Sequence, residues 1–311
     1  MNTEEKITRL KKIDSRLWNT LAHCTLCPRA CGCDRLADTR GTCGEGRRAK
    51  VYTAFLHPGE EPPISGTRGS GTIFFSGCSL RCVYCQNHQF SHQNRGTPVT
   101  EASLAEIFLR LQGKGAHNLN LVTPTHIFPQ IVRALIKAFE QGLHIPIVYN
   151  SSGYESPELA DLVSHTADIF LIDAKYLHAD TAARYSQAPD YPECNREFLE
   201  KVGGRQPVWD GRLLRRGTVI RHLVLPGHSA ESIELLEILT RTCPRALFSI
   251  MFQYRPFFRA CDYPEINRAV SHEEYCQVQN ALGTMDFEGW VQEFNPPEDL
   301  AGTNFPDSLE I

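Results

Sequence analysis

The stretch Thr72-Ile73-Phe74-Phe75-Ser76-Gly77-Cys78-Ser79-Leu80-Arg81-Cys82-Val83-Tyr84-Cys85 decides how the rest of the chain is read. Thr72 to Phe75 is a compact apolar run that Ser76-Gly77 ends, which predicts a strand buried on both faces and closed by a turn. Cys78, Cys82 and Cys85 then occupy the loop after that strand, at Cys-x3-Cys-x2-Cys spacing. A cubane iron–sulfur cluster bound by protein alone takes four thiolates. Three thiolates from one short loop leave one iron open to a small molecule. The plainer readings are disulfides, a zinc knuckle or free core thiols. Disulfides call for an oxidising compartment, and residues 1–20 are charged throughout with no apolar signal segment, so a cytoplasmic, reduced protein is expected. Zinc sites favour paired Cys-x2-Cys or mixed Cys/His sets, which the x3,x2 triplet does not match.

From residue 72 onward, short apolar runs alternate with amphipathic segments, the rhythm of βα units and a parallel sheet. Strands are expected at 72–76, 118–122, 145–149, 168–172, 218–224 and 246–251. Helices are expected near 4–22, 103–112 with a Ser103/Glu106 capping box, 129–141, from Ser156-Pro157 onward, and at 178–186, 194–202, 231–242 and 272–283. Six such units give an α/β fold, an open, partial TIM-like (β/α)6 barrel. In parallel βα architectures the loops at the C-terminal ends of the strands converge on one mouth. Polar residues follow all six expected strands: the cysteine loop, Thr123-Pro124-Thr125-His126, Asn150-Ser151-Ser152, Asp173-Ala174-Lys175, Arg221-His222 and Gln253-Tyr254-Arg255. Of Asp173 and Lys175, the first is expected to point into the barrel and the second to border its rim.

The loop Cys78 to Cys85 resembles the signature of the radical S-adenosylmethionine (SAM) superfamily. With Asn120 to His126, Ile147 to Glu155, Ala188 to Pro192 and Arg221 to Gly227, it is similar to the subgroup described by likeness to pyruvate formate-lyase activating enzyme. The resemblance implies the partial-barrel fold and a [4Fe-4S] cluster on Cys78, Cys82 and Cys85. It implies SAM on the open iron, and reductive cleavage to a 5′-deoxyadenosyl radical that abstracts hydrogen. Tyr84 fits the position beside the adenine. Asp173 and Lys175 fit the element that contacts the methionine part of SAM, and Ser152 and Arg221 fit the third- and fifth-strand contacts. Where the family usually carries Gly-Gly-Glu for the SAM ammonium, this chain has Thr123-Pro124-Thr125. The substrate so implied is a glycine backbone in a partner enzyme, with an electron donor such as a flavodoxin or ferredoxin. The rival substrate is a small metabolite or another residue, and the rival class is a non-catalytic iron–sulfur electron carrier.

At 311 residues and 41% hydrophobic side chains, the chain supports one large core with a small appendage. A formal charge of −4 offers no broad cationic face, so no nucleic-acid partner is expected. No apolar run approaches the ~20 residues that cross a bilayer, so no membrane is expected either. Of the 12 cysteines, those before residue 86 form two groups. The earlier one, Cys24-x2-Cys27-x3-Cys31 with Cys43, offers four soft ligands for structural zinc or a closed iron–sulfur centre in a segment poor in core residues. Cys33 is expected to point away from that set. The division expected is 1–66, an N-terminal helix and cysteine-rich metal-binding segment, and 67–311, the barrel with a C-terminal extension.

Overall fold

The computed structural model describes residues 3–294; the end of the expected C-terminal extension, residues 295–311, lies outside them. Ten strands form one sheet: β1 Lys50–His57, β2 Ser70–Phe75, β3 Thr97–Pro98, β4 Leu119–Val122, β5 Ile147–Ser151, β6 Ile169–Asp173, β7 Val208–Asp210, β8 Leu213–Leu223, β9 Leu247–Met251 and β10 Glu288–Val291. Their order is β10-β9-β8-β6-β5-β4-β2-β1-β3, with β7 folded back on β8. From β2 to β10 along that order every pairing is parallel. β1 runs antiparallel to β2 and carries β3 at its outer side. The sheet is an open, partial barrel.

All six expected strands are present, and four further strands, β1, β3, β7 and β10, were not anticipated. β10 extends the parallel set by one strand; with only Trp290 and Val291 apolar, at a sheet edge, it gives little periodic signal. β1 joins the same sheet, so the sheet begins before the 66/67 boundary. The helix expected from Ser103 instead starts at Glu101, capped by Thr100, whose Oγ1 accepts from Ser103 N at 3.1 Å. The cap comes one turn earlier because Thr100 is the residue in extended conformation. Ser156 caps the helix Pro157–Ser164 as expected.

The strands are buried on both faces, as a parallel sheet requires. Tyr149, Phe170, Ile172, Ile220 and Phe248 face the helices in the main core. Their neighbours Val148, Ile169, Leu171, Val219 and Leu247 face the other way and pack round Ile64. Ile64 belongs to a short helix, Pro62–Ser65, which thereby fills the floor of the barrel. The N-terminal helix Thr3–Asn19 lies outside the helical layer. It is tied there by Lys6 to Asp168 at 2.5 Å, Arg16 to Glu158 at 2.5 Å and Arg133 to Asp14 at 2.7 Å. Among the described residues no helix is long and apolar enough to cross a membrane.

Candidate active site

Above the Ile64 floor, the inward-facing positions change from apolar to polar within one step of two residues: Val148 to Asn150, Leu171 to Asp173, Val219 to Arg221 and Leu247 to Ser249. Period-two alternation carries all of these side chains to the same interior. They line a cavity of about 550 Å³ at the C-terminal strand ends, together with Cys82, Tyr84, Cys85 and Lys175. A second hollow, of about 770 Å³, lies by Pro63, Trp209 and Leu213 at the opposite ends of the strands and is lined by no cysteine.

A chain of charges crosses the cavity. Arg221 Nε donates to Asp173 Oδ1 at 2.9 Å, and its Nη2 to Asn150 Oδ1 at 2.7 Å. Lys175 Nζ donates to Asp173 Oδ2 at 2.7 Å. Asp173 and Lys175 are two residues apart and both line the cavity, so Lys175 is not confined to the rim as expected. Burial alone would raise the Asp173 carboxyl, but Arg221 and Lys175 outweigh it and hold the group below its ordinary range. Two further carboxylates were missed by sequence reasoning. Glu60 and Glu61 enter from the turn before the Pro62–Ser65 helix and approach Arg221 at 3.6 and 4.0 Å. Burial pushes the Glu60 carboxyl up and the Glu61 carboxyl up to about 7, against the pull of Arg221. Their sequence, Gly59-Glu60-Glu61-Pro62, carries the signal of a solvated acidic turn.

The three loop thiols sit against this network. Each sulfur has one hydrogen-bond neighbour: Leu80 N at 3.4 Å from Cys78, Ser186 Oγ at 3.0 Å from Cys82 and Ser91 Oγ at 3.2 Å from Cys85. Burial, then repulsion from Cys82, pushes the Cys85 thiol up to about 11; burial raises Cys78 and Cys82 as well, and Lys175 pulls all three down. Thiols that repel one another as thiolates next to a lysine suit a cationic cluster, which would hold them deprotonated. Among the described residues no three metal-ligating side chains are already grouped as an ion would hold them. Tyr84 borders the cavity, with its hydroxyl 2.7 Å from that of Tyr176 and its ring edge-to-face with Tyr254 at 5.7 Å.

Other expected positions lie outside the cavity wall. Ser152 is displaced by the turn at Gly153, and its carbonyl accepts from Tyr191 OH at 2.8 Å; Asn150, one step earlier on the inner face, takes the cavity position. Thr123 follows β4 with φ of +56°, an uncommon conformation for a β-branched residue, and donates its N–H to Asn150 O at 2.8 Å. His126 Nε2 lies 2.7 Å from Ser76 O and His222 Nδ1 2.7 Å from Ala174 O. Burial holds both imidazoles below their usual range, His126 at about 3. Tyr254 donates to Ile266 O at 2.9 Å and packs in the core.

The family model for the radical SAM superfamily matches residues 72–239, more than half of the chain. The chain belongs to the radical SAM superfamily. Relatives of this radical SAM protein include an uncharacterized protein of Methanocaldococcus jannaschii, 29% identical over 274 residues, covering 85% of this chain and 74% of the relative. The pyruvate formate-lyase-activating enzyme of Staphylococcus aureus is 27% identical over 181 residues, covering 53% of this chain and 66% of that enzyme. That superfamily is one of oxidoreductase-type enzymes that work with a [4Fe-4S] cluster and SAM. The matched span contains the cysteine loop, Asp173, Lys175 and Arg221, whereas Glu60, Glu61 and the earlier cysteines precede it.

Proposed function

We propose that this protein cleaves SAM reductively and abstracts a hydrogen atom from a glycine backbone of a partner enzyme. One observation carries the reading: the thiol loop, Tyr84 and the Asp173–Lys175–Arg221 network border a single cavity of about 550 Å³, within the size range of small-molecule sites. In this reading Cys78, Cys82 and Cys85 hold the [4Fe-4S] cluster, which with bound SAM supplies the 5′-deoxyadenosyl radical. Tyr84 flanks the adenine. Asp173 accepts hydrogen bonds from the ammonium or ribose hydroxyls of SAM, while Lys175 and Arg221 keep that carboxylate charged and fixed. Thr123 and Ser152 support the pocket from outside its wall, Thr123 through Asn150. A flavodoxin- or ferredoxin-like protein supplies the electron.

A small metabolite is the second reading, favoured by the floor. Ile64 closes the barrel below the cavity, and Glu60 and Glu61 give that floor carboxylates suited to a compact substrate with donor groups.

The test is anaerobic incubation of cluster-loaded protein with SAM and a reductant. Cleavage to 5′-deoxyadenosine and methionine is expected, and it should vanish when Cys78, Cys82 and Cys85 are replaced by Ala. Undiminished cleavage by the triple variant defeats the assignment. Adding cell extract and recording a glycyl radical by electron paramagnetic resonance, against a modified small molecule by mass spectrometry, separates the two substrates.

A further inference from the structure

Five thiols gather outside the barrel mouth. Cys24, Cys27 and Cys43 are buried, Cys33 is half-buried and Cys31 is exposed. The backbone doubles back on itself, with Cys24 N donating to Cys33 O at 3.1 Å and Gly32 N to Cys24 O at 3.0 Å. Gly32 adopts φ of +64°, which reverses the chain between Cys31 and Cys33. The expectation that Cys33 points away is therefore corrected: its Sγ lies 3.4 Å from that of Cys31. A Cβ on Gly41 would stand 2.3 Å from Cys31 Sγ and 3.2 Å from Cys33 Sγ, so glycine is what lets the arm bearing Cys43 approach this pair. Cys27 lies within electrostatic reach of Cys43, Cys24 and Cys31.

A buried cation stands beside them. Arg35 is 0% exposed. Its Nε and Nη2 donate to Gly46 O at 3.0 and 2.9 Å. Its Nη1 donates to His126 O and lies 3.9 Å from Cys24 Sγ. These acceptors are carbonyls and a sulfur, and the nearby carboxylate Glu45 is engaged by Lys50 at 3.1 Å. A guanidinium buried this deeply needs negative charge close by. Thiolates around a metal would supply it, since four of them exceed the charge of a divalent ion.

We propose that Cys24, Cys27 and Cys43, with Cys31 and Cys33 as alternative fourth ligands, hold a second, thiolate-bound metal centre of the zinc or iron–sulfur class. Arg35 balances its charge. The centre is anchored on the barrel's cysteine loop. Cys43 O lies 2.6 Å from where a Cβ on Gly77 would stand, next to Cys78, Arg29 Nε donates to Ser79 O at 3.0 Å, and Arg81 donates to Thr42 O. The metal also gives this core-poor segment a source of folding energy.

The test compares full-length wild type with two triple variants, Cys24→Ser/Cys27→Ser/Cys43→Ser and Cys78→Ala/Cys82→Ala/Cys85→Ala. All are reconstituted anaerobically with iron and sulfide, or with zinc, and desalted. The barrel-loop variant is expected to keep about one zinc or about four irons per chain, and the N-terminal variant to lose that metal while keeping the barrel cluster's spectrum. Cys31→Ser and Cys33→Ser should each retain the metal, and the double variant should lose it. Retained iron with an electron paramagnetic signal identifies an electron-carrying centre; retained zinc identifies a brace. A barrel-loop variant that binds neither metal overturns the proposal, as does a Cys31–Cys33 disulfide in anaerobically purified protein. Neither result bears on SAM cleavage by the barrel, so the two assignments fail separately.

Discussion

Asp173 divides one carboxylate between two cations, Arg221 on one oxygen and Lys175 on the other. Asp173→Asn leaves Lys175 without its ionised partner and Arg221 with only the more distant Glu60 and Glu61, so it should destabilise the fold by roughly 3 kcal/mol and weaken SAM binding about tenfold or more. Denaturant melts and anaerobic SAM titration of the cluster-loaded variant check the two effects, and unchanged SAM affinity would remove Asp173 from the pocket. Glu155 gives a pH signature. It is buried, accepts from Thr125 Oγ1 at 2.8 Å and from Ser151, and burial raises its carboxyl to about 7. An unfolded glutamate titrates near ~4.3. Between these values the unfolded chain has released a proton that the folded chain still holds, so stability falls as pH rises through that window and stays lower above it. Glu155→Gln should remove up to about 3 kcal/mol of this fall, giving a variant relatively more stable than wild type at pH 8 than at pH 4.5 in denaturant melts. A parallel pair of pH profiles would contradict the assignment. Site residues were legible where a strand delivers them: Asp173 and Arg221 occupy inner-face positions at strand ends. Ser152 is the residue to which the family resemblance points, and the sequence does not reveal that the inner face ends before Gly153, which leaves Asn150 in the cavity. Cys33 was set aside by the alternation of an extended chain, which the left-handed turn at Gly32 abolishes.

At the scale of elements, the short helix Pro62–Ser65 has a larger part than its length suggests. Ile64 is 0% exposed and belongs to one buried cluster with inner-face residues of four strands. Ile64→Ala should cost about 2–5 kcal/mol through the cavity it leaves, measured by urea denaturation. A value under about 1 kcal/mol would mean that the floor collapses around the vacancy. The parallel strands could be read from the sequence because burial on both faces makes each a continuous apolar run, as in Ile169-Phe170-Leu171-Ile172. The floor helix could not. Its four residues are too few for periodicity, and its Pro62-Pro63 start reads as a turn. β10 has the same difficulty, since an edge strand exposed along half its length shows neither a run nor a clean alternation.

At the scale of the whole molecule, the cysteine-rich start and the barrel are built into each other. β1 covers the side of β2, residues 60–64 enter the barrel, and Arg35 reaches His126. A chain beginning at residue 67 would expose a long apolar edge and an open floor, so it should aggregate on expression, whereas one beginning at residue 20 loses only the outer helix and should remain soluble. Size-exclusion chromatography of both decides, and a monodisperse 67–311 fragment would mean that the barrel folds alone. The outer helix also sets a timetable for synthesis. Lys6 waits for Asp168 and Arg16 for Glu158, so at a ribosomal rate of roughly 5–20 residues per second the outer helix precedes its anchors by about 7–32 s. During that interval five nascent thiols meet the free metal and oxidant of their surroundings before any barrel exists to shelter them.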